Sequence, residues 1–293
     1  MNKLFSLFLL FSHLVLAQKN DQFWKKSDSV NHKRINYSST IIGVGYTGSI
    51  IGLQQVWYKD SYQKDFHFFN DGKNWLQMDK AGHFYTSYHI ARELSGLYKY
   101  AGVSKNKANI IGSSIGFSYL ACLEMMDGFS KDWGFSIWDL SANLGGTAVY
   151  VGQDMLFSRQ IFLPKFSFHT TKYAALRPEI LGESFAEQLL KDYNGQTYWL
   201  SFSPGNFGQN QFPKWLCLSL GYSADAKIVG SSEIYQNNTA RREYLFSMDI
   251  DFTQIKVQRP FLKMLFKQIN TLKIPFPALY FSNEKLGFKP FYF

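Results

Sequence analysis

The hydrophobic period of the chain changes once, near residue 164, and that change limits the fold more than any other feature. Before it, apolar residues recur at helical spacing, with breaks at Asn70-Asp71-Gly72, Asp127-Gly128 and Lys131-Asp132-Trp133-Gly134. The spacing predicts four helices, over residues 40–58, 79–100, 107–126 and 136–157. Gly48 and Gly52, then Gly112 and Gly116, stand one turn apart, and Gly145-Gly146 lies in the fourth helix, so the backbones are expected to approach closely. After residue 164 a further helix is expected over 179–191, and from Tyr198 the period becomes two. Leu216, Leu218, Leu220 and Tyr222 alternate with Cys217, Ser219 and Gly221, and Tyr244, Phe246, Met248 and Ile250 alternate with Ser247 and Asp249. These are one-sided antiparallel strands, four or five in number, fewer than the eight of the smallest closed transmembrane barrels. The expected class is α+β: a Gly-rich four-helix bundle followed by a small antiparallel β region with an amphipathic helix.

Residues 1–17 carry Lys3, an apolar stretch from Leu4 to Leu16 and a small-residue end at Ala17, the pattern of a secretory signal cleaved before Gln18. The expected organisation is then a signal peptide (1–17), a mobile arm (18–37), a helical bundle domain (38–163) and a mixed α/β extension (164–293). The chain is exported and periplasm-facing or outer-membrane-associated on this reading. No Cys follows the cleavage point, so attachment through a lipobox is not expected. The other two classes of clue agree. Aromatic residues make up 18% of the chain, too many for disorder, and the net charge is +9. For an exported protein such a balance excludes nucleic acid and favours anionic membrane lipid or envelope glycan, with a protein partner left open. Mean hydropathy of −0.20 argues against a polytopic membrane protein. The uncharged runs at 40–58 and 108–123 sit at the border between a span and a buried helix, and a partly inserted bundle is expected. Cys122 and Cys217 lie in apolar runs and read as buried thiols rather than a disulfide.

Three helices carry polar pairs about one turn apart: Asp79 with His83, Glu124 with Asp127, and Asp139 with Asn143. In an up-down bundle the start of the second helix, the end of the third and the start of the fourth share one end, so Asp79, Lys80, His83, Glu124, Asp127, Asp139 and Asn143 are expected to cluster. Asp79, His83, Glu124, Asp127 and Asp139 are the residue types that hold a divalent metal, and His83, Asp127 and Asp139 are the candidates for acid–base work. Lys80 paired with Glu124 or Asp127 would instead neutralise the cluster without metal. Farther on, residues 260–273 place Phe261, Leu262, Leu265, Phe266, Ile269 and Leu272 on one arc and Lys263 and Lys267 beside it. With Arg259 and Lys273 this reads as a basic amphipathic helix lying on a membrane surface.

The order Asp79-Lys80-x-x-His83, Glu124-x-x-Asp127, Asp139-x-x-x-Asn143-x-x-Gly146 resembles the YfiM-like family of exported bacterial envelope proteins, and more distantly the four-helix VanZ-like membrane proteins. The resemblance covers about residues 78–157 and implies an envelope domain with polar residues gathered at one end; it implies no reaction. Three functions therefore stand: a membrane-associated envelope protein with a polar site, a metal-assisted hydrolase or transferase on a lipid or cell-wall substrate, and a lipid-binding module.

Overall fold

The computed structural model describes residues 21–59, 61–208, 212–231, 233–236 and 238–293, so the export signal lies outside the described residues. Helix α1 (His32–Leu53) begins at Asn31, whose side chain accepts from the Arg34 amide at 3.1 Å, ahead of the expected start near residue 38. Residues 25–37, read as part of an arm, are in fact tied down. Ser27 and Asn31 donate amides to the carbonyls of Tyr100 and Ala101, and the Arg34 guanidinium sits 4.3 Å over the Tyr100 ring. Helix α1 ends in a π-helical turn, Gln54–Tyr58.

Helices α2 (Met78–Tyr100), α3 (Lys105–Asp127) and α4 (Ile137–Phe157) follow where the periodicity placed them. Helix α2 is the central one and packs along both α3 and α4. Its neighbours reach it through glycine. A methyl group on Gly112 would stand 2.2 Å from the Ser95 amide nitrogen, and one on Gly146 2.1 Å from the Phe84 carbonyl oxygen. The glycines of α1 behave otherwise: at Gly43, Gly45, Gly48 and Gly52 a methyl group would meet nothing within 4 Å. The expected small-residue contact face on α1 is therefore corrected. Helix α1 touches the others through Ile35, Ile42, Ser39 to Tyr98, and an edge-on pair of Tyr46 with Tyr119. Among the described residues no helix is long and apolar enough to cross a membrane.

The second half is an antiparallel meander of six strands: β1 (Phe162–Phe168), β2 (Gln196–Phe202), β3 (Leu216–Asp225), β4 (Arg241–Ile250), β5 (Phe276–Ser282) and β6 (Lys285–Tyr292). The stretch at 179–191 is not one helix. It breaks at Gly182, where φ is +103°, leaving a single turn and helix α5 (Phe185–Lys191), capped by Ser184. Helix α6 (Pro260–Ile269) links β4 to β5.

In a flat sheet β2 and β6 would lie about 19 Å apart. The Thr197 hydroxyl and the Tyr292 hydroxyl are 2.9 Å apart, so the sheet is strongly curled, and residues 271–273 hydrogen-bond along the free edge of β1. The ordinary sense of the strand pattern, apolar side on the core, is reversed. Lys165, Thr197, Ser201, Ser219, Ser223 and Asp249 point into the curl and are buried, around an apolar centre of Trp199, Leu245 and Tyr292. Leu220, Tyr244, Phe246, Leu279, Phe281 and Phe288 point outward and are exposed. The inward polar groups are paired: Lys165 Nζ stands 2.8 Å from Asp249, which also accepts from Ser201 at 2.8 Å. The outer face of β1 and β2 is covered by α2, where Tyr85 packs on Phe166 and Tyr198. Both cysteines are free, Cys217 inside the curl and Cys122 partly buried on α3.

The glycine contrast is testable by urea denaturation. Gly48→Ala is expected to stabilise the protein by up to about 1 kcal/mol through helix propensity. Gly112→Ala should destabilise it by about 1–3 kcal/mol through overpacking against α2.

Candidate functional site

The three one-turn pairs do meet at one end of the helices, and the structure adds Asp71, Tyr58 and Tyr193 to them. Lys80 lies at the centre, with Nζ 2.5 Å from Asp71, 2.9 Å from Asp79 and 2.9 Å from Asp139. Its partners are thus not Glu124 or Asp127. Asp71 comes from the loop read as a turn; it accepts from the Ser136 hydroxyl at 2.6 Å, and Ser136 in turn caps α4 by accepting from the Asp139 amide. Asp139 and Asp79 both sit in the first turn of their helices, where the helix dipole favours a negative charge.

His83, one turn after Asp79, faces three carboxylates: Asp79 at 3.7 Å, Glu124 at 3.5 Å and Asp139 at 3.8 Å. Its Nδ1 is 3.2 Å from the Asn143 Oδ1, while the buried Asn143 Nδ2 has no partner among the described residues. Asp127 lies at the edge of the cluster and accepts from the Tyr58 hydroxyl at 2.7 Å, a contact made by the π-helical turn. Tyr193 donates to Asp79 at 2.8 Å from the sheet side.

Five carboxylates facing one lysine and one imidazole cannot all ionise cheaply. Burial, then the charges of Asp139 and Asp127, push Glu124 up to about 9. Burial raises Asp127 to about 6 against the Tyr58 hydrogen bond, and burial with Asp79 raises Asp139 to about 7. Burial also opposes ionisation of Asp79, but His83 and Lys80 outweigh it and hold that carboxyl below its usual range. The cluster therefore holds ionised and protonated carboxyls side by side near neutral pH, the condition for acid–base chemistry.

Asp79 and His83 open into a cleft of about 380 Å³ between α2, β1, β2 and α5, walled by Tyr85, Phe166, Leu190 and Tyr198. The helix that begins the site is entered through three successive left-handed residues, Trp75, Leu76 and Gln77, with φ of 49°, 53° and 63°. Contacts from the sheet half hold them: Trp75 donates its amide to Gly230, Tyr222 its hydroxyl to Leu76, and Arg242 its guanidinium to Gln77.

The expected membrane-surface residues are not together on an outer face. Lys273 is buried beside Trp199 and Lys267 pairs with Glu93 at 3.1 Å; Lys263 is exposed at the edge of a second cavity, and Arg259 is exposed at the helix start. Lys267 of α6 turns toward Glu93 on α2, and Leu265, Ile269 and the following Leu272 are exposed.

A family model described as predicted periplasmic lipoprotein (DUF2279) matches residues 65–153. No curated protein and no solved structure matches the chain. The matched segment contains Asp71, Asp79, Lys80, His83, Glu124, Asp127, Asp139 and Asn143, and ends before β1. The protein is thereby an exported protein of the cell envelope, periplasm-facing or outer-membrane-associated.

A carboxyl whose pKa is raised on folding stabilises the protein below its unfolded value, about 4, and loses that contribution as pH rises through the folded value. Stability is expected to fall between pH 5 and 9, with Glu124 acting to the top of that window. In Glu124→Gln, which mimics the protonated form, the slope between pH 6 and 8 should be shallower by about 1.4 kcal/mol per pH unit. Urea midpoints at several pH values measure it; parallel curves for the two proteins would contradict the assignment.

Proposed function

We propose that this is a membrane-associated envelope protein that rests the outer face of its sheet on lipid and carries an acid–base site in its helical half. The observation behind the reading is the reversed sheet. Polar residues fill the concave side, where Ser201 bonds both Ser219 and Asp249, while Leu220, Tyr244, Phe246, Leu279, Phe281 and Phe288 are left to the surroundings. An apolar patch of this extent marks an interaction surface, and an aromatic-rich one suits the lipid interface. Within the cleft His83 is the proton-transferring group, positioned by Asp79 and Asn143, and Asp139 and Asp127 titrate in the useful range. The aromatic wall suits an envelope amphiphile or glycan as the molecule acted on. Flotation with phosphatidylglycerol vesicles tests the membrane part. The protein should float with the vesicles, and Phe246→Glu combined with Phe288→Glu should reduce binding at least tenfold; equal flotation would end the reading.

A second reading, metal-assisted hydrolysis or transfer, is favoured by one geometric fact. Asp79, His83 and Asp139 each offer a ligand atom, and these lie within 4.8 Å of one another. Lys80 already supplies a positive charge to two of the three, so a cation competes with it. Titration calorimetry with Mn²⁺ or Zn²⁺ should show binding that is lost in Asp139→Asn and strengthened in Lys80→Met. Absence of binding in both the parent and Lys80→Met would leave acid–base chemistry alone.

A further inference from the structure

A second and larger cavity, about 830 Å³, opens along α2 beyond the polar cluster, closed by the end of α4, residues 252–257 and helix α6. Its lining is strongly one-signed: Arg92, Lys99, Arg159, Lys256, Lys263 and Lys267 face it, against Asp154 alone. Asp154 is already engaged by Lys99 at 2.8 Å and by Asn109 at 2.6 Å. Glu93, just outside the lining, is shared by Arg92 and Lys267. Lys256 and Lys263 have no side-chain hydrogen bond or ion pair among the described residues.

Like charges gathered around one concave space repel one another, and the low-dielectric walls strengthen that repulsion. Burial lowers the pKa of Lys267, and Arg92 and Lys99 lower it further, with Glu93 opposing them. An anion in the cavity would relieve this strain and meet the two free ammonium groups. The lining also carries apolar and aromatic side chains, among them Tyr88, Leu163, Val257 and Phe266, beside the neutral polar Gln160, Thr253, Gln254 and Asn270. A carboxylate needs one basic partner; this many, with two donors of the point-charge type, matches a phosphate.

We propose that this cavity is a binding site for a phosphate ester, with Lys256 and Lys263 meeting the phosphate at the mouth and Arg92 deeper in. The site is separate from the His83 cluster and does not depend on the function proposed for it. A phospholipid headgroup and a free phosphate share this chemistry, and two probes separate them.

Calorimetric titration of the purified protein, at fixed ionic strength, with inorganic phosphate and with dihexanoyl phosphatidic acid tests the inference. Both probes should saturate one site per chain. Lys256→Gln combined with Lys263→Gln, two exposed changes that leave the packed interior alone, should weaken binding at least tenfold without shifting the thermal midpoint. Tenfold tighter binding of the short-chain lipid would assign the apolar wall to acyl chains and make a lipid headgroup the ligand; equal affinities would assign a soluble phosphate ester. No saturable binding of either probe, binding no tighter than that of chloride, or an unchanged affinity in the double variant would overturn the proposal.

Discussion

The ion pair of Lys165 with Asp249 is the constraint around which the C-terminal half is arranged. Both side chains are fully buried, and an ammonium taken out of water persists only if it is paired and its remaining protons are bonded. Lys165 meets this requirement from three directions: Asp249 on β4, the Ile250 carbonyl and the Asn270 side chain after α6. Asn270 also binds Asp251 and the Phe252 amide, so β1, the end of β4 and the end of α6 are locked to one register. Once charge and hydroxyl groups occupy the concave side, alternation sends Phe246, Leu220 and Phe281 outward. The exposed apolar face is thus a consequence of what the interior contains.

The helical half repeats the solution with another lysine. Lys80 draws Asp71, Asp79 and Asp139 from three segments of chain to one point, as Lys165 does for the sheet. The difference is in the balance. Asp249 and Lys165 are matched, whereas the carboxylates around Lys80 are in excess, and the surplus is handled by protonation of Glu124 and by the raised pKa values of Asp127 and Asp139. A matched pair is scaffold; an unmatched set can still exchange a proton or accept a cation. This distinction is the physical reason the acid–base site is proposed in the helices rather than inside the sheet.

Much of this was legible in the residues and some was not. Helices α2, α3 and α4 and the meeting of Asp79, His83, Glu124, Asp127, Asp139 and Asn143 follow from one-turn spacing, because local geometry fixes which side chains share a helix face. Asp71, Tyr58 and Tyr193 reach the cluster from a loop, a π-helical turn and the other half of the chain, and no spacing rule announces such partners. The strand period was equally plain, but period two does not say which side is the inside; that depended on Lys165 finding Asp249 across the sheet. The same holds for α6, whose Lys267 pairs with Glu93 on α2 while Leu265 and Ile269 are exposed. Nor does the sequence show that His89 of α2 donates to the Pro164 carbonyl at 2.9 Å, where burial pushes its pKa down to about 3.

The two halves are joined where the site begins. Trp75, Leu76 and Gln77 all adopt left-handed backbone without glycine, which costs on the order of 1–3 kcal/mol per residue and persists only when neighbours enforce it. Those neighbours are in the sheet half: Gly230, Tyr222 on β3 and Arg242 on β4. The next residue, Met78, is fully buried and opens the helix that presents Asp79, Lys80 and His83. The direction in which that helix sets out, and so the position of the carboxylates around Lys80, is fixed by contacts that lie outside the segment shared with the periplasmic family. Tyr193 makes the same connection from the cleft side through its bond to Asp79. A chain ending at residue 157 would keep the polar pairs but lose the three restraints on the left-handed turn and the donor to Asp79. The sheet is therefore part of the site's geometry.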